Sequence, residues 1–252
     1  MNAPPPVFQE SASVYDLLYS EKDSLSEATW VAEILSSHSL KPGGKLLEFG
    51  SGTGRHARLL AEKGYFVTGV EPSVDMLQRA GHHPRASFLR GDTASTRLTQ
   101  KFDAVLALFH VMSYHTSDHE LHSFFKTASL HLRRGGLFGF DVWYSPAVSF
   151  LVPESRTLTK ENAQLRVTRE ATPTEDIAHS LVDVHYTYAV ELLSSGELTQ
   201  FQETHSMRHF TQSEIQLLAD LHGFTIADSR EFLTNRRPSR DTWGVWFTLR
   251  KD

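Results

Sequence analysis

Lys45 to Leu60 reads KLLEFGSGTGRHARLL. An apolar run carries an acid, Glu48, near its end, then turns through Gly50, Gly52 and Gly54 into residues with helical spacing. Glycine has no side chain and tolerates positive φ, so such a turn lets backbone approach a ligand closely. A second apolar run, FVTGV, leads into another acid, Glu71. A carboxylate at that place can accept both hydroxyls of a ribose. The pair of features predicts a site for an adenosine-containing cofactor.

Two cofactor chemistries compete for it. The window Gly52 to Ala57 satisfies G-x-G-x-x-A, a pattern used for NAD, in which a pyrophosphate rests on a helix N-terminus. Glu48, just before the first glycine, would repel a diphosphate and attract an α-amino group. S-adenosylmethionine (SAM) has that amino group and no phosphate. The loop resembles motif I of class I SAM-dependent methyltransferases, usually written acid-x-G-x-G-x-G. GDT at 91–93, FDAVLAL at 102–108, LRRGG before a further apolar run and a closing pair of strands extend the resemblance over nearly the whole chain from about residue 14. It implies that Glu48, Gly50, Gly52 and Gly54 cradle SAM. Glu71, followed by Pro72, would hold the ribose, and Met76 would lie against the adenine. Asp92 would accept from the adenine amino group with Thr93 beside it, and Leu108 would line the methionine side. The competing reading of Glu71 and Asp92 is that they cap the helices that follow.

Tyr15 and Tyr19 stand four apart, on one face of a helix. Core packing is one reading; the other follows from the resemblance, where a Y-D-x-x-Y segment folds over the cofactor and an aromatic hydroxyl suits a sulfonium. His110 and Tyr114, in LFHVMSYHT beyond the fourth strand, are the candidate catalytic pair along with Tyr15, because the acceptor must present a free lone pair and imidazole can take a proton near neutral pH. Candidate substrate contacts are His110, Tyr114, Trp143, His205 and Arg208, with Arg236 and Arg237 in the basic loop NRRPSR; arginine forks suit phosphate or carboxylate. A structural histidine and a solvated loop are the alternatives. HTSDHELH at 115–122 lacks the spacing of H-E-x-x-H, so no metal is expected there, and Asp118 reads as the cap of the helix it opens. No G-x-S-x-G elbow appears.

VYDLLYSEKD, LFHVMSYHT, FDVWYSP and an inserted β-rich segment resemble the nucleotide-sugar N,N-dimethyltransferases of macrolide amino-sugar biosynthesis. The match departs in two places: motif I carries Glu48 rather than Asp, and Asp141 adds a charge that the resemblance does not assign. The implied activity is methyl transfer to an amine or hydroxyl of a small, polar, anionic acceptor such as a nucleotide-linked amino sugar. An NAD-linked oxidoreductase and a non-catalytic SAM-binding module are the alternatives.

The elements that would position these residues follow from periodicity. Strands at 45–49, 66–70, 86–90, 102–108 and 137–142 alternate with helices, one of them spanning 118–132; two helices precede the first strand and a final helix spans 211–222. This predicts an α/β, Rossmann-like methyltransferase sheet of seven strands, buried on both faces, with a C-terminal antiparallel hairpin. Three alternating strands at 165–170, 181–193 and 198–209 predict an inserted antiparallel three-stranded sheet. The domain reading is a loose tail at 1–10, a SAM-binding domain at 11–152 and 210–252, and an insertion at 153–209 acting as a lid or mediating a homodimer. The chain has 252 residues, a net charge of −5 and no cysteine. Disulfides and thiolate sites are excluded, and a nucleic-acid partner gains no electrostatic support. No signal peptide or membrane span is read, so a cytoplasmic location with a small-molecule acceptor is expected.

Overall fold

The structure, a computed structural model, describes residue 8 and residues 10–252, so the tail expected at 1–10 lies almost wholly outside the described residues. In chain order the elements are α1 (Tyr15–Leu18), α2 (Ser24–Ser37), β1 (Lys45–Phe49), α3 (Arg55–Glu62), β2 (Phe66–Glu71), α4 (Val74–Gln78), β3 (Ala86–Arg90), β4 (Phe102–Ala107), α5 (Asp118–His131), β5 (Leu132–Tyr144), α6 (Ser145–Leu151), β6 (Arg156–Glu161), β7 (Leu165–Asp176), β8 (Leu181–Leu192), β9 (Glu197–Phe210), α7 (Gln212–Leu221), β10 (Phe224–Glu231) and β11 (Gly244–Lys251). The chain divides into two compact units: residues up to Lys22 with Pro153–Met207, and Asp23–Val152 with Arg208–Asp252. None of the described helices is long and apolar enough to cross a membrane.

The larger unit is built on seven strands in the order β3-β2-β1-β4-β5-β11-β10. The first five are parallel, and β11 runs antiparallel to both neighbours. The α/β class and the closing hairpin are those the sequence predicts. β1 and β4 are apolar almost throughout because both sheet faces are covered. On one face Phe49, Phe124, Phe125, Phe138, Phe140, Phe224 and Phe247 pack with α5 and α7. On the other, Trp30, Leu46, Leu60, Leu106 and Trp246 pack with α2 and α3.

Three local expectations are corrected. Ser117, not Asp118, caps α5: its hydroxyl accepts from Glu120 N while Glu120 bonds back to Ser117 N, a capping box. The helix stops at His131, because Leu132 is already extended, buried and paired with Phe102, so β5 begins before Gly135 and Gly136. α6 has no counterpart in the sequence reading.

The smaller unit holds four neighbouring strands, β9-β8-β7-β6, rather than three. β6 pairs antiparallel with β7, Leu158 opposite Arg169. The turn joining them, at Asn162 to Gln164, contains no glycine or proline, so nothing in the sequence punctuated this strand. Val14 and Leu18, from the N-terminal segment, pack on Val167 and Tyr188. Ser11–Lys22 therefore clusters with the inserted strands rather than with the larger unit.

Two buried histidines of the larger unit are locked neutral by their partners. A carbonyl can only accept, so His131 donates from Nδ1 to Thr127 O (2.8 Å) and His115 from Nδ1 to Met112 O (3.2 Å). Nε2 of His131 must then accept from Leu98 N (2.9 Å), and in the neutral form favoured by burial Nε2 of His115 accepts from the Thr93 hydroxyl (2.6 Å). Burial first, with the charges of Arg97 and Lys101 near His131, pushes both below the usual histidine range. A lowered folded value stabilises the protein above the ordinary pKa near 6.5, and that stability is lost as pH falls through the folded value. The unfolding free energy from urea titrations should accordingly fall below about pH 6.5, by up to ~1.4 kcal/mol per pH unit for each histidine. His131→Gln, which can still accept from Leu98, should flatten that slope; an unchanged slope would contradict the assignment.

Candidate active site

Gly50, Gly52 and Gly54 all adopt positive φ, at 65°, 55° and 71°. Their surroundings differ. A Cβ on Gly50 would come 2.5 Å from Val111 Cγ2, and one on Gly54 would come 2.4 Å from the Phe88 ring, whereas a Cβ on Gly52 would meet nothing within 4 Å. Gly50 and Gly54 are thus bare for packing, and Gly52 borders open space. The bare Gly50 also admits Val111, which brings the segment after β4 against the loop after β1.

Glu71, at the carboxyl end of β2, is buried, and each oxygen accepts one backbone N–H: Oε2 from Gly52 (2.9 Å) and Oε1 from Ser73 (2.9 Å). Burial pushes its pKa up, and those two donors partly offset the rise. Each oxygen keeps a lone pair for a further donor. Glu48 is also buried. Ser73 caps α4, accepting from Met76 N; Met76 is buried and Pro72 exposed. Asp92 acts as a turn cap, with Oδ1 accepting from Ala94 N and Ser95 N and Oδ2 from the Ser95 hydroxyl. Burial would raise its pKa, but these bonds and Arg97 hold it below the usual carboxylate range. Thr93 bonds His115, whose ring stacks on Phe124, and Leu108 is buried at the end of β4.

Beyond β4 the chain makes two consecutive left-handed steps, at Phe109 (φ 62°) and His110 (φ 63°). Such a conformation costs a residue with a side chain roughly 1–2 kcal/mol. Asp141, on β5 and with no exposed surface, compensates: its Oδ2 lies 2.7 Å from His110 Nδ1 and accepts from His110 N at 3.1 Å. The approach of Oδ2 to Nδ1 is a close charge contact rather than a hydrogen bond: Nδ1 and the other carboxylate oxygen, Oδ1, are buried without a hydrogen-bond partner. The ring stands edge-on to Trp143, which in turn meets Trp243 (centroids 6.1 and 5.5 Å). Sequence reasoning found His110 and Trp143 but neither Asp141's partner nor Trp243. The available signal was an acid inside the apolar run FGFDVW.

The other candidates scatter. Tyr114 is half-buried at the end of the short turn Val111–Tyr114. Arg208 is engaged by Asp118 Oδ1 (2.7 Å) and Glu214 Oε1 (3.7 Å), and Arg236 by Glu231 (2.6 Å); Arg237 is exposed. β10 runs parallel to β5, so the loop carrying Arg236 and Arg237 leaves from the carboxyl edge as expected. Tyr15, Tyr19 and His205 belong to the smaller unit. Tyr15 and Tyr19 pack ring to ring at 4.7 Å. His205 is buried against Phe8 and Tyr186, its Nε2 3.2 Å from Glu203. Among the described residues no three histidine or acidic side chains converge as a metal site.

Residues 46–136 match the family described as a methyltransferase domain. The dTDP-3-amino-3,6-dideoxy-alpha-D-glucopyranose N,N-dimethyltransferase of Streptomyces fradiae is 28% identical over 86% of this chain and 84% of its own. The dTDP-3-amino-3,4,6-trideoxy-alpha-D-glucopyranose N,N-dimethyltransferase of Streptomyces venezuelae is also 28% identical, over 82% and 86%. The solved sugar N-methyltransferase KedS8 from Streptoalloteichus sp ATCC 53650 shares the fold, with a TM-score of 0.80 at 22% identity over 100% of this chain and 98% of that one. The chain carries a methyltransferase domain and is a SAM-dependent methyltransferase with SAM as its cofactor. An oxidoreductase is not favoured.

The glycine loop yields a paired prediction. Gly54→Ala adds a steric clash to backbone strain and should cost at least ~2 kcal/mol in denaturant unfolding. Gly52→Ala should cost about 1–2 kcal/mol, the strain alone, yet weaken SAM binding in calorimetry much more than Gly54→Ala does.

Proposed function

We propose that this enzyme methylates the amino group of a nucleotide-linked amino sugar, with His110 as the base and Asp141 as its positioning residue. The observation that carries the reading is the His110–Asp141 contact of 2.7 Å at the carboxyl edge of the parallel strands. That edge also holds the glycine loop and Glu71, where open α/β sheets bind their ligands.

The residues suit SAM by their donors and spaces. Gly52 leaves room that a side chain would fill, and Glu71 keeps a lone pair on each oxygen for the ribose hydroxyls. Glu48 supplies negative charge for the α-amino group. Met76, Leu108 and Pro72 would give the apolar borders, and Asp92 would offer the adenine whatever lone pairs its turn leaves. Bound SAM supplies a methyl carbon on a positively charged sulfur. An amine acceptor must present a lone pair and must shed a proton around transfer. His110 Nε2 accepts that proton, and Asp141 stabilises the resulting imidazolium while fixing the ring plane. Trp143 stands edge-on to the ring and Trp243 packs against Trp143, so the two border one side of the base with apolar surface. In this reading the acceptor is anionic, and Arg236, Arg237 and Tyr114 serve it as polar contacts.

Incubating the enzyme with SAM and dTDP-linked 3-amino sugars should give mono- and dimethylated products by mass spectrometry. Turnover of hydroxyl-only sugars or peptides but never of the amino sugars would overturn the acceptor class. His110→Asn should lower kcat about 100-fold or more with SAM affinity retained. Asp141→Asn should lower kcat roughly tenfold or more, with KM little changed and a displaced pH profile. Glu71→Gln should weaken SAM binding roughly 10- to 100-fold by calorimetry.

A further inference from the structure

We infer that His115 is a positioning residue that couples occupancy of the adenine site to the base, by tying the loop after β3 to the turn after β4; this rests on the cofactor and base placement proposed above. The tie lies wholly within the larger unit. Its ends belong to segments that leave the same edge of the sheet, since β3 and β4 run parallel to the strands between them. Thr93 follows Asp92 in the first segment, and its hydroxyl lies 2.6 Å from His115 Nε2. In the second, His110 and His115 flank the turn Val111–Tyr114 as its N-cap and C-cap. His115 Nδ1 lies 3.2 Å from Met112 O, inside that turn.

His115 is buried, and its ring stacks on Phe124 of α5 with 4.5 Å between centroids and 7° between planes. Burial disfavours its protonated form. A neutral imidazole has one donor and one acceptor, and a carbonyl can only accept. Nδ1 therefore donates into the turn, Nε2 accepts from Thr93, and each nitrogen joins a different segment. The loop after β3 is also braced on α5: the Thr127 hydroxyl donates to Ala94 O (3.0 Å), and Leu98 N to His131 Nε2 (2.9 Å). The turn is held just as closely. Ser113 N donates to His110 O (2.9 Å), His115 N donates to Met112 O (3.2 Å), and Met112 and Ser113 have no exposed surface.

Packing alone does not account for this arrangement. A phenylalanine would stack on Phe124 as well, and only an imidazole can serve Thr93 and Met112 at once. A ligand that bonds to Asp92 and to the Thr93 backbone restrains the Thr93 side chain, and through it the imidazole. The closely packed turn passes that restraint to His110, whose backbone N is held at its other end by Asp141. Misplacing a reacting group by about 1 Å can cost on the order of 100-fold in rate, so a tie that only sets position still bears on turnover.

The test uses the full-length enzyme isotope-labelled at histidine Cε1, with the His110 magnetic-resonance signal assigned through His110→Asn. Adenosine is the probe, because it carries the adenine and ribose but lacks the methionine arm. Saturating adenosine should shift the His110 signal of the wild type. In Thr93→Val, which keeps the shape and loses the hydroxyl, that shift should largely vanish while adenosine affinity changes by no more than about twofold. Thr93→Ser, which restores the hydroxyl, should restore the shift. With SAM and dTDP-linked 3-amino sugars, Thr93→Val and His115→Phe should each lower kcat roughly tenfold at unchanged sugar KM. The double variant should be no slower than the poorer single one, because both remove the same tie. A His110 shift that persists in Thr93→Val overturns the coupling, as do additive losses in kcat. If the wild type binds adenosine and its His110 signal stays in place, this inference alone fails. If the wild type binds no adenosine, the cofactor placement fails and the coupling with it. The magnetic-resonance arm needs no acceptor, so it decides the coupling whatever the acceptor class.

Discussion

A carboxylate with no exposed surface is the constraint on which the reacting edge depends. Burying the charge of Asp141 would cost several kcal/mol if it stood alone. One backbone donor, the nitrogen of His110, compensates it, and the His110 ring nitrogen lies 2.7 Å from the same oxygen. The backbone bond holds the chain through the paired left-handed steps at Phe109 and His110, a conformation that residues with side chains otherwise avoid. One buried acid thus sets the path of the loop and stands against the ring that the loop presents.

The sheet places these groups without further help. Parallel strands send every following loop to the same edge, and β1, β2, β4 and β5 are parallel. The glycine loop and Glu71 meet there through the Gly52 N–H, and Val111 fills the space that Gly50 leaves. The loop after β1 and the segment after β4 consequently touch. The antiparallel hairpin adds Trp243 from β11's leading edge, because Trp143 sits in register with Gly244. Geometry at this edge is a property of the whole sheet, since each contact joins residues from different strands.

The sequence displayed the sheet clearly, because buried parallel strands are apolar almost throughout and glycines punctuate the helices between them. It displayed poorly what depends on distant pairing. β6 escaped because its residues, RTLTKE, are polar at an edge and its turn has no glycine or proline. The end of α5 was misjudged because LRRGG reads as a helix stop, while the actual limit is the pairing of Leu132 with Phe102. Asp141 could be seen as an acid in an apolar strand, but only the fold brings it to His110. Arg208 illustrates the reverse: it reads as a candidate substrate contact in sequence and is engaged by Asp118 and Glu214 in space.

Histidine–carboxylate pairs recur in this chain, and access separates them. In the His110–Asp141 pair the acid is closed off while the histidine side chain keeps 21% of its exposure. In the His205–Glu203 pair both partners are closed, at 5% and 10%, and Ser11 also binds the acid, whose pKa is drawn down to about 2 by His205 and Ser11 against the effect of burial. His56 and Glu27, 2.7 Å apart, are similarly enclosed, at 14% and 12%. A base needs its acceptor nitrogen open to a ligand and its other nitrogen held. Two enclosed partners instead serve as an internal tie, which contributes to fold rather than to proton transfer. Of these three histidines, His56 and His205 are ties within their units, and His110 is the one whose side chain keeps an open surface.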